Sequence, residues 1–101
     1  MIVRVVLIQL KPAFRSYGQV RLIAKKTREV LPNAARVMDL SIQLACDGRT
    51  EDEWDLCLLV KFASMQDTEV YRKDPVHRAY ADVFLKPMLE RIYVYHFEQF
   101  A

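Results

Sequence analysis

The chain has 101 residues, enough for one domain with its own core, and 52% of them are hydrophobic, which argues against disorder. Its formal net charge of +2 gives no push toward nucleic acid or an anionic membrane. Two glycines rule out a glycine-rich phosphate loop, and no run of about 20 apolar residues exists to cross a bilayer.

The opening "MIVRVVLIQL" is rich in Val, Ile and Leu and predicts a strand over residues 2–10. Interrupted by Arg4 and lacking a small-residue cleavage site, it reads as a strand rather than a signal peptide. Lys11-Pro12 ends it. Val20, Ile23, Ala24, Val30 and Leu31 then recur at helical spacing, so a helix is expected from about Ser16 to Leu31, closed by Pro32-Asn33. Residues 36–46 alternate as a second strand. "CDGRTEDE" supplies a turn around Asp47-Gly48, and "EWDLCLLVKF" (53–62) is the third strand.

Ser64 followed by Asp67 resembles a helix N-cap arrangement. The helix it starts should stop near Asp74, because a residue before proline avoids helical dihedrals. A second helical piece is expected from Pro75 to about Leu89, and "RIYVYHFEQ" (91–99) is a fourth strand. No repeat or linker divides the chain. The expectation is a single domain over residues 1–101 with the order β-α-β-β-α-β, a ferredoxin-like α+β fold with a four-stranded antiparallel sheet.

Strand one is apolar on both faces: Val3, Val5 and Leu7 on one, Ile2, Val6, Ile8 and Leu10 on the other. Strand three likewise has Cys57 and Leu59 behind its main apolar row. Two helical segments cover only one side of such a sheet, so a second copy of the chain is expected to cover the other. The predicted state is a homodimer whose sheets pair into an α+β barrel, with a larger oligomer as an extension. Strand parity puts Cys46 and Cys57 on opposite faces, so both are expected as free thiols in a cytoplasmic protein.

With these elements placed, the chain resembles the stress-responsive dimeric α/β-barrel (Dabb) family. The residues that carry the resemblance are "MIVRVVLIQLKP", "WDLCLLVKFAS", "YRKDPVHRAY" and the ending "VYHFE", in that order across nearly the whole chain. The resemblance implies a ferredoxin-like protomer and a paired barrel. Some such proteins resemble polyketide cyclases, which work without a cofactor through a histidine and a tyrosine on the second helical region and histidines on strands one and three. Here His77 and Tyr71 match the helical pair, whereas the strand positions are matched to Val5 and Leu56, and the first histidine of the helical motif is Asp74. Other members hold a divalent cation through backbone carbonyls near the end of helix one, around Pro32 here, which leaves no side-chain signature.

Two roles suit His77. His77, Tyr80, Ala81 and Phe84 share a helical face, so the imidazole is expected to look into a space lined by Val5, Leu7, Leu56 and Leu58, with Tyr80 and Phe84 beside it. A histidine there can act as an acid or base on a small apolar carbonyl compound, with the Tyr71 hydroxyl steadying an enolate. Alternatively the ring is structural: Asp74 caps a helix beginning at Pro75, and a ring nitrogen accepts one of the free backbone donors.

His96 is assigned to the dimer interior or the core. Arg4, Asp55 and Lys61 are placed on the sheet face away from the helices, and Trp54 against the end of the core. Arg21, Lys25 and Arg28 form a basic stripe on helix one, read as a solvated face or a contact between dimers. No cofactor and no side-chain metal site are expected, and the strands lack the basic and aromatic pattern of an RNA-binding sheet. The functional expectation is therefore a homodimer that binds a small molecule and has possible isomerase, cyclase or lyase chemistry. The alternative is a non-catalytic stress-response or assembly protein.

Overall fold

In a computed structural model that describes residues 1–100, the elements are β1 (Ile2–Leu10), α1 (Tyr17–Val30), β2 (Asp39–Leu44), α2 (Gly48–Glu51), β3 (Leu56–Phe62), α3 (Met65–Lys73), α4 (Pro75–Arg78) and β4 (Leu89–Glu98). Ala101, the last residue of the expected domain, lies outside the described residues. The strands form one antiparallel sheet in the order β2-β3-β1-β4, which is the ferredoxin-like α+β arrangement the sequence predicts.

The helix ends follow their caps. Ser16 Oγ accepts from the Gln19 amide at 3.3 Å to start α1, and Ser64 Oγ accepts from the Asp67 amide at 3.2 Å to start α3. Asp74 closes α3 with an extended backbone, because Pro75 follows it. The same residue then starts α4, its Oδ2 accepting from the Val76 amide at 3.0 Å.

Beyond Arg78 the expected continuous helix to Leu89 gives way to a wider π turn over Ala79–Leu85 and a 3₁₀ turn over Lys86–Met88. Pro87 has no amide to donate, and the wide turn carries Tyr80 inward to Thr27 of α1. The hairpin between β2 and β3 is likewise more ordered than a plain turn, since Asp47 Oδ1 accepts from Thr50 at 2.7 Å and caps the single turn of α2.

Even-numbered residues of β1 and β3 face the helices. Val6, Ile8, Leu10, Leu56, Leu58, Val60 and Phe62 form the sealed heart of the core with Ile23 and Leu31. Thr27 Oγ1 donates to the Ile23 carbonyl at 2.8 Å and lies 2.6 Å from the Tyr80 hydroxyl, so the one polar pair at the centre is satisfied. Asp55, nearly buried, accepts from the Leu10 amide at 2.8 Å and from Arg15 Nε at 3.2 Å. It therefore seals the end of the β1–β3 pair, beside the β1 bulge at Gln9/Leu10, rather than sitting on the outer sheet face.

Odd-numbered residues face the other way, and no helix of the described residues lies over them. Val3, Val5 and Leu7 of β1, Cys57 and Leu59 of β3, and Tyr93, Tyr95 and Phe97 of β4 line that side, with Lys61 near one end as expected. Phe97 is 59% exposed and Tyr95 49%. Trp54 belongs to this side as well: its ring meets Tyr93 edge-on at 5.3 Å, and Arg91 stacks over it at 4.3 Å. Its expected place against the end of the core is thereby corrected. Both cysteines are free, and partial burial pushes the Cys57 thiol up.

Candidate functional site

His77 is the third residue of α4 and is buried. Its Nδ1 lies 3.2 Å from the Arg72 carbonyl at the end of α3. A carbonyl only accepts, so Nδ1 carries the proton and Nε2 keeps its lone pair. The structural role read from the sequence, a ring nitrogen accepting from the start of the helix, is not the contact that forms. Asp74 takes that amide, and the imidazole instead ties α4 back to α3. Burial above all, and then Arg4 and Arg78, lower the pKa of His77, while the Arg72 carbonyl acts in the opposite sense. The ring is therefore neutral at pH 7 and presents Nε2 as a base.

Tyr71, in the last turn of α3, packs edge-on against Phe62 at 4.9 Å and lies 4.2 Å from the His77 ring, centroid to centroid. Burial pushes its phenol up to about 12, against the pull of Arg4, so it stays a protonated donor. These two rings are the pair that the sequence singles out, and the fold brings them together.

The residue of β1 that reaches this pair is Arg4. Its guanidinium carbon lies 5.5 Å from the centroid of the Tyr71 ring, and Nη1 donates to His96 Nε2 at 3.1 Å. Arg4 and His96 are cross-strand partners in the β1–β4 register, both on the helix side. Desolvation and then Arg4 lower the pKa of His96, so it too is neutral and accepts from the guanidinium. The expected position of Arg4 on the outer face is corrected here. The alternation that puts Ile2, Val6 and Ile8 toward the helices puts Arg4 there as well, and that was the sequence signal for it.

The expected pocket does not form as one space. Leu56 and Leu58 lie on the helix side, sealed in the core, while Val5 and Leu7 project from the opposite face of the sheet. One residue of register separates the two sets, and a strand sends neighbours to opposite sides. Tyr80 is buried and engaged with Thr27, and Phe84 packs on it at 5.5 Å. Two hollows open elsewhere. One of about 620 Å³ is lined by Arg15, Tyr17, Arg21, Glu51 and Asp55, and one of about 140 Å³ by Leu7, Trp54 and Cys57; neither includes His77.

The His77 group instead opens along β4, where Ile92 and Val94 stay 40% and 37% exposed on the helix side. Together the site offers a neutral base, a phenolic donor, a second imidazole and a guanidinium beside an apolar strip. That is a chemistry suited to a small polar-headed organic molecule. Among the described residues no group of three or more His, Cys, Asp or Glu is placed to hold a metal ion. No helix among them is long and apolar enough to cross a membrane.

In the basic stripe, Arg28 donates to the Leu40 carbonyl at 2.9 Å and Arg21 stacks over Tyr17 at 3.3 Å, so two of its three residues are used within the chain.

Similar folds are found in several solved structures. A Dabb family protein with a ferredoxin-like fold from Mesorhizobium loti superposes with a TM-score of 0.81 at 16% identity, covering 99% of this chain and 97% of that one. A dimeric ferredoxin-like protein from Thermobifida fusca gives 0.77 at 19% identity, covering 97% and 90%. A hydroxynitrile lyase from Passiflora edulis gives 0.75 at 21% identity, covering 99% and 97%. At these identities the likeness is one of fold. No curated protein matches the sequence. Residues 2–99 match the Stress responsive A/B Barrel Domain family, Dabb, and the chain belongs to that family.

Proposed function

We propose that this chain acts as a homodimer in which each protomer binds a small carbonyl compound beside His77, which serves as a cofactor-independent acid and base. The observation that carries this is the His77 tautomer. Nδ1 is committed to the Arg72 carbonyl, which leaves Nε2 free on a neutral ring that packs on Tyr71 at 4.2 Å, with the Arg4 guanidinium on the same tyrosine at 5.5 Å. A proton next to a carbonyl group could pass to Nε2 while Tyr71 and Arg4 hold the enolate oxygen. The Passiflora edulis protein of the same fold is a lyase, which makes carbon–carbon cleavage one reaction class to assay.

The dimer is supported by the uncovered apolar face of the sheet and by the dimeric Thermobifida fusca relative in fold. Two free thiols suit a reducing, cytoplasmic setting.

A second reading has one observation in its favour. The His77–Arg72 hydrogen bond joins α3 to α4, so the ring also fits a purely structural part in a stress-response or assembly protein. The test is His77→Ala assayed against a panel of small ketones, aldehydes and cyanohydrins. Loss of binding or turnover with a modest fall in melting temperature supports the ligand site. Wild-type behaviour toward every compound, with only stability lowered, leaves the structural role.

A further inference from the structure

Among the described residues, Arg4 is a cation without a counter-ion. Four ion pairs in the described residues engage Arg15, Arg36, Arg72 and Arg78, and Arg4 is in none of them. Its Nη1 meets a neutral imidazole, and its buried Nε has no hydrogen-bond partner among the described residues. Glu69, the carboxylate that acts on it, is already held by Arg72 at 2.9 Å, and Arg72 itself adds repulsion. Native proteins rarely leave a half-buried guanidinium in such surroundings, because a desolvated charge and an unmade hydrogen bond both cost stability.

We propose that the ligand of this site is an organic anion, a small apolar molecule bearing a carboxylate that the Arg4 guanidinium binds while its apolar body lies along Ile92 and Val94 of β4. This rests on the His77 group being a ligand site, as proposed above. The fork of N–H donors matches a carboxylate, and among the described residues only Nη1 of that fork is engaged. The carbonyl that His77 acts on then sits next to an acid group, as in a keto acid. The apolar strip is half-exposed and shares the helix side with Arg4 and His96, so the two parts of such a molecule have adjoining places.

Anion binding leaves a signature on both histidines. Burial and then Arg4 hold the protonation of both rings down, joined by Arg78 at His77, while Asp82 at His77 and Glu69 at His96 act in the opposite sense. A carboxylate on Arg4 offsets that charge, so both rings titrate at higher pH when it is bound.

The experiment titrates benzoate and its neutral counterpart benzamide into the full chain at constant ionic strength, with the ring resonances of His77 and His96 followed by NMR. The expected result is that benzoate moves both rings and raises their titration midpoints. Benzamide should bind roughly ten-fold more weakly, and Arg4→Gln should remove the difference. Equal binding of the two probes at these rings overturns the anion proposal and leaves the site itself standing. If neither probe moves either ring, the ligand site falls together with the proposal. The wild-type comparison needs no variant, so poor folding of Arg4→Gln does not shelter the idea.

Discussion

On β1, Val6, Ile8 and Leu10 are sealed under the helices, while Val3, Val5 and Leu7 of the same strand stay half-buried on a face that no helix of the described residues covers. The residue types are the same on both sides, so composition does not distinguish a core row from an uncovered one. What distinguishes them is the supply of covering layers. α1 and the α3–α4 segment fill one side, and the described residues supply no helix over the other. β4 carries the contrast furthest, since aromatic residues crowd its outer side while Ile92 and Val94 remain half-open on the helix side. The sheet thus has three zones: a sealed one, an uncovered apolar one, and a partly covered one where the polar side chains gather.

Four substitutions or conditions test that division. Phe62→Ala, in the sealed zone and against Tyr71, is expected to destabilise by about 3–5 kcal/mol in chemical denaturation. A loss under about 1 kcal/mol would mean that this side is not the true core. Leu59→Glu, at the centre of the uncovered zone, is expected to shift the sedimentation coefficient toward that of a monomer while helical circular dichroism persists. Unchanged sedimentation would show that this face is not the docking row.

Tyr80→Phe removes the hydroxyl that meets Thr27 across the helical layer and is expected to cost about 1 kcal/mol. Because Thr27 keeps its bond to the Ile23 carbonyl, a much larger loss would point to packing rather than hydrogen bonding.

The remaining condition is pH. Tyr71 and Tyr80 are held at about 12 in the fold against 10.0 for a free phenol, so the folded state keeps protons that the unfolded chain releases. Their contribution is complete below pH 10 and is lost as pH rises toward 12. His77 has the opposite sign of change: its lowered pKa means the unfolded chain protonates first, so stability present above pH 6.5 declines as pH falls below it. Melting temperatures across these two windows, in wild type and in Tyr80→Phe, separate the contributions.

Much of this division is legible in the sequence. The order of elements, the stop at Asp74-Pro75 and the two-faced apolar strands all come from local pattern, which periodicity and capping chemistry encode directly. The partners of a side chain across the sheet are not local. Arg4 and His96 are 92 positions apart, and only the β1–β4 register makes them neighbours. Val5 and Leu7 stand one residue of register away from the row of Val6, Ile8 and Leu10, and so on the face opposite the one their grouping with Leu56 and Leu58 implies. The π turn at Ala79–Leu85 had no local signal, because it answers to the position of Thr27 on another helix.

Asp74 is both the last cap of α3 and the first cap of α4, so no spare residue separates the two helices. The joint therefore works as a phase lock. Each helical residue turns the chain by about 100°, and the direction in which the His77 ring points is counted from Asp74 alone. One residue inserted between Lys73 and Asp74 would leave α4 intact as a helix yet swing the imidazole off the Arg72 carbonyl, freeing its tautomer and parting it from Tyr71. In this protein the spacing of the Tyr71–His77 segment matters as much as its residue types.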